Sequence, residues 1–268
     1  MNETAREHLS PRAVAGDIVT VYRRHWRFLI PTAIVVLLPQ SLVDGLLDGL
    51  NVEGIRSARD VAILAAVPIT VAVNLLGQAV YAGMAAAAVV EWRTNQPLPR
   101  IATLARSLPL GRLVLLDLVL SLGAAIGFVL LVIPGLVFLA YFSTSPPLIK
   151  FEHRSVRGAL RRSAQLVQGN FWRVLLLVVG ITLLTEAVVA AVSAPFHGVG
   201  LVTAVDLAAE GLLEPIEGLA IVLVAFRLLD IRGDTPSPAD LQWALTHRAP
   251  VRRGRQGEKT PSTNGPPP

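Results

Sequence analysis

Apolar residues occur along this chain in long blocks that are separated by short polar connections. Residues 28–43, 61–90, 113–133, 174–193 and 216–226 contain at most one or two ionisable side chains per block. A helix needs about 20 mainly apolar residues to cross about 30 Å of lipid hydrocarbon. The pattern therefore predicts an all-α, polytopic membrane protein with about six transmembrane helices, arranged in three hairpins.

The same pattern sets the predicted boundaries. The six segments are 28–47, 61–90, 113–133, 135–149, 172–193 and 207–229. Pro134 and Gly135 leave almost no loop between the third and fourth segments, which predicts a tight hairpin, and Pro146 and Pro147 predict an irregular inner end of the fourth. We predict a cytoplasmic N-terminal amphipathic segment at 1–27, a six-span membrane domain at 28–230 and a disordered cytoplasmic tail at 231–268, with a short helix near 240–246.

Helical amphipathy marks three of the connections. Between 154 and 168 one stripe is basic and polar, while Val156, Leu160, Ala164 and Val167 form an apolar stripe. Residues 11–26 show a similar pattern, and Ile101, Leu104 and Leu108 suggest a third. Such helices lie in the membrane interface rather than across it. We predict cytoplasmic interfacial helices, one before each hairpin.

The basic residues indicate the orientation. In the six-span arrangement 22 of the 24 Lys and Arg residues fall on one side, and only Arg56 and Arg59 fall on the other. Basic loops stay on the cytoplasmic side. Both ends are therefore predicted to be cytoplasmic. Abundant Arg, Ala and Val are typical of a high-GC bacterium, which suggests the bacterial plasma membrane.

Composition narrows the function classes. The net charge of +5 lies beside apolar runs rather than on one soluble face, so nucleic acid is not predicted as a partner. The chain has no cysteine, and its five His residues lack metal-ligand spacing. No catalytic motif, metal site or cofactor is predicted, and the chain is interpreted as non-enzymatic. We also expect no removable signal peptide, because no cleavage site follows a short apolar core.

One candidate site lies on the cytoplasmic side. Its residues are basic or aromatic and would contact lipid headgroups or a membrane protein partner: Arg154, Arg157, Arg161, Arg162, Trp172 and Arg173. Basic side chains near an anionic membrane surface each contribute about 1 kcal/mol of attraction. The alternative is anchoring without any choice of lipid, with the Trp-Arg pair placed at the headgroup level. The leading prediction is a protein that organises membrane lipids or partner proteins at the cytoplasmic face.

A second candidate site consists of polar side chains at membrane depth: Asn74, Gln78, Asp117, Glu186, Glu214 and Glu217. Such groups are costly in lipid, so each is a candidate for function. A cavity that opens outward and binds a proton, a cation or a cationic ligand would make the chain a transporter or permease component. The alternative is hydrogen bonding between helices.

Small residues predict close helix approach in two places. Gly123 and Gly127 form a GxxxG pattern, and Ala79, Gly83 and Ala87 repeat every four residues. Packing within the molecule and dimerisation are both compatible with these spacings.

Residues 133–175 resemble the bacterial and archaeal membrane domain named for its fusion to glycerophosphoryl diester phosphodiesterases. The matching elements are Pro134-Gly135, the Pro146 region, Glu152, Ala159, Arg161-Arg162-Ser163, Gly169-Asn170 and Trp172-Arg173. The ending FRLLDIRGDTPSPADL from Phe226 also resembles that family, with Leu229 where a Tyr is common. The resemblance implies a six-span helical membrane domain of unestablished role, here without the phosphodiesterase catalytic domain.

Overall fold

A computed structural model of the chain describes residues 9–47, 77 and 80–247, and every regular element within these ranges is a helix. In chain order the helices are α1 (Pro11–Leu47), α2 (80–94), α3 (Ile101–Ser107), α4 (Leu110–Leu130), α5 (Val132–Phe142), α6 (Ser145–Phe151), α7 (Val156–Val167), α8 (Phe171–Ser193), α9 (Val199–Arg232) and α10 (Pro238–Thr246). The predicted all-α class is confirmed.

Three stretches of the described chain are long and apolar enough to cross a membrane. They are α4, the combined stretch Val132–Phe151 that contains α5 and α6, and α8. They correspond to the predicted third, fourth and fifth segments. Large apolar side chains on α4 and α8 face outward, such as Leu122, Leu176 and Leu184. The three candidate transmembrane helices indicate a multi-pass membrane protein.

The prediction of six spans is confirmed only in part, because the described residues contain three candidate membrane spans rather than six. Most of the second segment, including residues 61–76, lies outside the described residues. The sixth segment belongs to α9. Charged residues recur along this helix, so it contains no uncharged stretch long enough to span a membrane. The first segment belongs to α1, where two prolines, Pro31 and Pro39, interrupt the apolar run.

Helix α1 differs from its predicted layout. It is one helix of 37 residues and runs through the predicted boundary between residues 27 and 28. The interfacial segment 11–26 is therefore not a separate element. Its apolar face, with Val14, Ile18 and Val21, is buried in the core. The sequence contains no glycine or proline between residues 17 and 30 that would end a helix there.

Helices α1, α2 and α9 form the centre of the structure. Helix α1 packs along α9, and α8 also packs against α9. Residues 84–90 of α2 are all buried, as expected for a helix that is apolar on every side. Side chains of residues 219–226 on α9 are buried in the same cluster, apart from the partly buried Ile221.

Helices α4 and α5 form the tight hairpin that the Pro134-Gly135 pair predicts. Leu131, in extended conformation, is the only residue between them. A Cβ added at Gly127 would lie 2.7 Å from the Cα of Gly135, and one added at Gly123 would meet the Phe138 ring. The GxxxG pattern therefore packs within the molecule.

The end of the fourth predicted segment is irregular, as its prolines indicate. Helix α5 ends at Phe142, and α6 begins at Ser145 after a break of two residues, with Pro146 and Pro147 in its first turn. Proline fits a first helical turn because the N–H that it lacks would have no helical partner there. Buried hydroxyls follow the break: Thr144 Oγ1 lies 2.7 Å from Ser163 Oγ of α7.

The short helix that the sequence predicts near 240–246 within the tail is confirmed as α10. Helix α10 begins after Ser237, whose hydroxyl accepts a bond from Asp240 N at 3.2 Å and caps the helix. Leu241, Ala244 and Leu245 are buried against α3 and α6. The prediction of a disordered tail from residue 231 onward is therefore wrong for residues 231–247, and 248–268 lie outside the described residues.

Candidate functional site

The connections with predicted cytoplasmic positions meet at one end of the helices through ion pairs. Arg24 of α1 lies 2.7 Å from Glu91 of α2, and His25 Nε2 lies 2.7 Å from the other oxygen of the same carboxylate. Asp17 of α1 accepts two bonds from Arg227 of α9. These pairs join helices that are distant in sequence, and they contain acidic residues that the charge count alone did not single out.

Arg93 and Asp230 form a two-pronged ion pair between α2 and α9. Arg93 Nη2 donates to Asp230 Oδ1 at 2.8 Å and Nη1 donates to Oδ2 at 3.0 Å, while the guanidinium lies over the Phe226 ring. Burial raises the pKa of Asp230, but bonds from Arg93 and Thr235 and the nearby arginine charges outweigh it. The pKa of Asp230 therefore lies below its ordinary value.

Glu152 and Asp234 hold two of the predicted headgroup ligands. Arg154 bonds to Glu152, and Arg162 bonds to Glu152 at 3.4 Å and to Asp234 at 2.6 Å. Burial lowers the pKa of Arg162, yet its bonds to these carboxylates outweigh that effect and the net shift is upward. Both arginines thus have acidic partners within the protein, so they are poorly placed to bind an anion.

A glycine positions Asp234 for this contact. Gly233 follows α9 with φ of 69° and ends the helix in the left-handed conformation, which glycine adopts without steric cost. Asp234 N then bonds back to Leu229 O at 3.0 Å. The chain turns there toward α7, and this turn brings the Asp234 carboxylate to Arg162.

The remaining candidates stay available on the surface. Arg157 and Arg161 are exposed on α7, and neither their side chains nor that of Arg173 form a hydrogen bond or an ion pair within the described part of the chain. Trp172 is 76% exposed at the start of α8, beside the outward-facing apolar side chains of that candidate span. We call Arg157, Arg161, Trp172 and Arg173 the α7–α8 surface.

The buried face of α7 differs in register from the prediction. Ala159, Ser163, Leu166 and Val167 are buried, whereas Val156, Leu160 and Ala164 are only partly buried. Ser163 lies inside because its hydroxyl can donate to Tyr141 O at 2.7 Å and also contacts Thr144. Ser163, a small polar residue, therefore occupies the buried position that the apolar pattern assigns to its neighbour Ala164.

The carboxylates of α9 lie close to polar side chains from two other helices. Glu217 accepts bonds from Thr182 Oγ1, at 3.1 Å, and from Thr185 Oγ1 of α8. Tyr81 of α2 is buried, its hydroxyl has no hydrogen-bond partner in the described ranges, and it lies near enough to Glu214 to be influenced by its charge. We call Tyr81, Thr182, Thr185, Glu214 and Glu217 the α8–α9 polar cluster.

The structure does not place the other predicted intramembrane residues in this cluster. Glu186 is exposed on α8. Asp117 lies on α4, which packs against α5, α6 and α7, and its Oδ2 is buried without a partner in the described chain. Asn74 and Gln78 lie outside the described residues.

The sequence analysis missed the acidic partners Asp17, Glu91, Glu152, Asp230 and Asp234, and also Lys150. The acidic partners could have been predicted from one feature of the sequence: they lie among arginines next to the helix ends. Lys150 stands out as one of only two lysines in the chain. It is almost fully buried, and its ammonium donates to Ser107.

Comparison with known proteins found no matching family model, no similar curated protein and no similar solved structure. The resemblance of residues 133–175 to the phosphodiesterase-associated membrane domain therefore stays a prediction.

Proposed function

We propose that this chain is a non-enzymatic, multi-pass protein of a bacterial plasma membrane that organises anionic lipids or partner proteins at its cytoplasmic face. The exposed, unpaired guanidinium groups of Arg157 and Arg161, together with the exposed Trp172, carry this proposal. Guanidinium groups bind phosphate oxygens in two-pronged geometry, and an indole suits the headgroup level.

The proposed topology has six spans with both ends cytoplasmic, as in the resembling membrane domain. The distribution of Lys and Arg supports it, as do the ion pairs that join α1, α2, α7 and α9 at one end. In this arrangement the α7–α8 surface lies in the inner headgroup layer. The outward-facing side chains of α8 then continue from that layer into the lipid hydrocarbon.

Changing Arg157 and Arg161 together to Gln is expected to weaken binding of phosphatidylglycerol by about 30-fold, since each basic residue contributes about 1 kcal/mol. Fluorescence transfer from the protein's tryptophans to labelled phosphatidylglycerol in nanodiscs measures this, with labelled phosphatidylcholine as the lipid control.

The matched control changes Arg100 and Arg106 to Gln. Their side chains are also exposed and make no hydrogen bond or ion pair in the described chain, so the same charge is removed elsewhere on the predicted cytoplasmic side. Weak binding by the Arg157/Arg161 variant alone supports a lipid-binding surface. Equal losses in both double variants would indicate general anchoring and contradict the proposal.

A second candidate function, transport of a proton or cation, is favoured by one observation. The buried Tyr81 hydroxyl has no hydrogen-bond partner in the described chain, so the α8–α9 polar cluster has an unused polar group in addition to its carboxylates. Buried polar groups normally have partners, and one without is a place to look for a water or an ion.

If the chain transports, proteoliposomes carrying it should show cation or proton flux, and Glu214→Gln should reduce that flux to the level of empty liposomes. Glu186→Gln is the control, because that carboxylate lies on the exposed surface of α8 and its loss should leave most of the flux. A parent protein without flux above empty liposomes excludes this second function.

A further inference from the structure

A small recess lies where α3, the start of α4, α6 and the end of α10 meet. Its interior holds little more than one water-sized group, and its polar lining residues are Ser107, Arg112, Lys150, His153 and His247. Four of these carry nitrogen groups that are or become cationic, and the lining contains no carboxylate. The recess is separate from the α7–α8 surface.

Lys150 is the central feature of this recess. Its side chain is 3% exposed, and its ammonium donates twice to one residue, to Ser107 Oγ at 2.8 Å and to Ser107 O at 3.1 Å. An ammonium has three N–H donors, so one remains without a protein acceptor in the described structure. Burial is costly for an ammonium that has no counter-charge.

Among the residues that the structure describes, no acidic side chain forms an ion pair that balances this charge. None of the ion pairs in the described ranges involves Lys150, and the carboxylate nearest in sequence, Glu152, binds Arg154 and Arg162 instead. The side chain of Arg112 also forms no hydrogen bond or ion pair there. The recess therefore combines a buried ammonium and a partly buried guanidinium, both lacking acidic partners.

The beginning of α4 adds positive potential to the same place. Pro109 precedes this 21-residue helix and lines the recess, and the first-turn residue Gly111 has open space where a side chain would be. Free N–H groups at a helix start attract anions.

Helix α10 supplies the remaining wall. Ser107 Oγ lies 2.7 Å from Leu245 O, which ties α10 to the residue that holds Lys150. The Trp243 ring stacks on the His247 ring with centroids 5.1 Å apart, and the His153 ring meets Trp243 edge-on. Both histidines are thereby held at the recess.

We infer that this recess is an anion site that takes one oxygen of a phosphate group, with the Lys150 ammonium and the Arg112 guanidinium as its charged ligands. The phosphate belongs either to a phospholipid headgroup or to dissolved phosphate, because the recess has room for about one oxygen and the rest of the group would lie at its mouth. The site adds a second anion contact that does not depend on the α7–α8 surface.

Thermal unfolding of the full chain in a neutral detergent tests the inference with two probes. One is inorganic phosphate, compared with sodium chloride at equal ionic strength. The other is phosphatidic acid in mixed micelles, compared with phosphatidylcholine. We expect a stabilising shift for at least one phosphate probe, and an affinity about 10- to 100-fold lower in Arg112→Gln, as for a lost charge-assisted bond.

The controls separate the site from general charge effects. Arg106→Gln removes an exposed charge from α3 and should keep the full shift. Lys150→Met should abolish the shift, and Arg112→Gln covers the case in which the Lys150 variant does not fold. A shift with inorganic phosphate identifies the dissolved ion as sufficient, and a shift with phosphatidic acid alone identifies the headgroup. No shift with either probe, or an undiminished shift in Arg112→Gln, overturns the inference.

Discussion

Gly127→Ala is expected to open the α4–α5 hairpin and to lower the free energy of unfolding by about 2–3 kcal/mol. The added Cβ would lie 2.7 Å from Gly135 Cα and 2.9 Å from Gly135 N, far inside the 3.5–4.0 Å typical of contacts between carbon atoms. These are backbone atoms, which cannot rotate away as a side chain can. Because Leu131 alone joins the two helices, the strain cannot be absorbed by a loop. Unfolding of the purified protein in detergent, followed by circular dichroism, measures the loss.

Gly180→Ala is the matched control for this substitution. Gly180 lies in the candidate span α8, and a Cβ there would meet no heavy atom within 4 Å. Alanine favours a helix by about 1 kcal/mol over glycine, so this variant should equal or exceed the parent in stability. If Gly127→Ala is as stable as Gly180→Ala, the two helices do not pack at this distance and the described hairpin is wrong.

The helices of the hairpin and α8 could be predicted from sequence because their apolar runs are continuous. Their prediction does not depend on which side chains are buried, since many of their apolar side chains face outward, where lipid can surround them. The turn at Pro134-Gly135 could be predicted as well, because proline and glycine act through local backbone geometry. Local signals of this kind carry over directly to structure.

Helix α9 shows what the apolar pattern alone cannot predict. In α9 the carboxylates Glu210, Glu214 and Glu217 recur through the apolar run, and only the neighbouring helices decide whether they are tolerated. Thr182 and Thr185 supply partners for Glu217 from α8. A single sequence does not show that these residues meet, so a count of spans depends on contacts that the apolar pattern does not contain.

The candidate basic site was predicted by charge, but charge does not show which arginines are free. Arg161 and Arg162 are adjacent in sequence, yet Arg162 binds Glu152 and Asp234 while Arg161 faces outward without a partner. The difference follows from the rotation of α7 and from the turn at Gly233. Both are tertiary features, and they divide one predicted surface into structural arginines and available ones.

Arg93→Leu is expected to lower the free energy of unfolding by about 1–3 kcal/mol, because it leaves Asp230 without its main counter-charge. The pair is only partly exposed, at 23% for Arg93 and 33% for Asp230, and its geometry is two-pronged. Arg227→Gln is the comparison. Its guanidinium is 41% exposed and contacts a single oxygen of Asp17, so its loss should cost less. Denaturant titration in detergent at neutral pH gives both values.

The pH dependence of the same pair provides a separate check through Asp230→Asn. The pKa of Asp230 in the folded protein lies below its ordinary value of 3.8. Ionised Asp230 therefore stabilises the fold fully above that value, and the contribution is lost as the pH falls through the lower, folded pKa. The parent should exceed Asp230→Asn in stability by a constant amount from pH 7 to about 5, and the gap should narrow below about pH 4. A gap that stays unchanged to pH 3, or widens on acidification, would mean that Arg93 does not hold Asp230 in its ionised form.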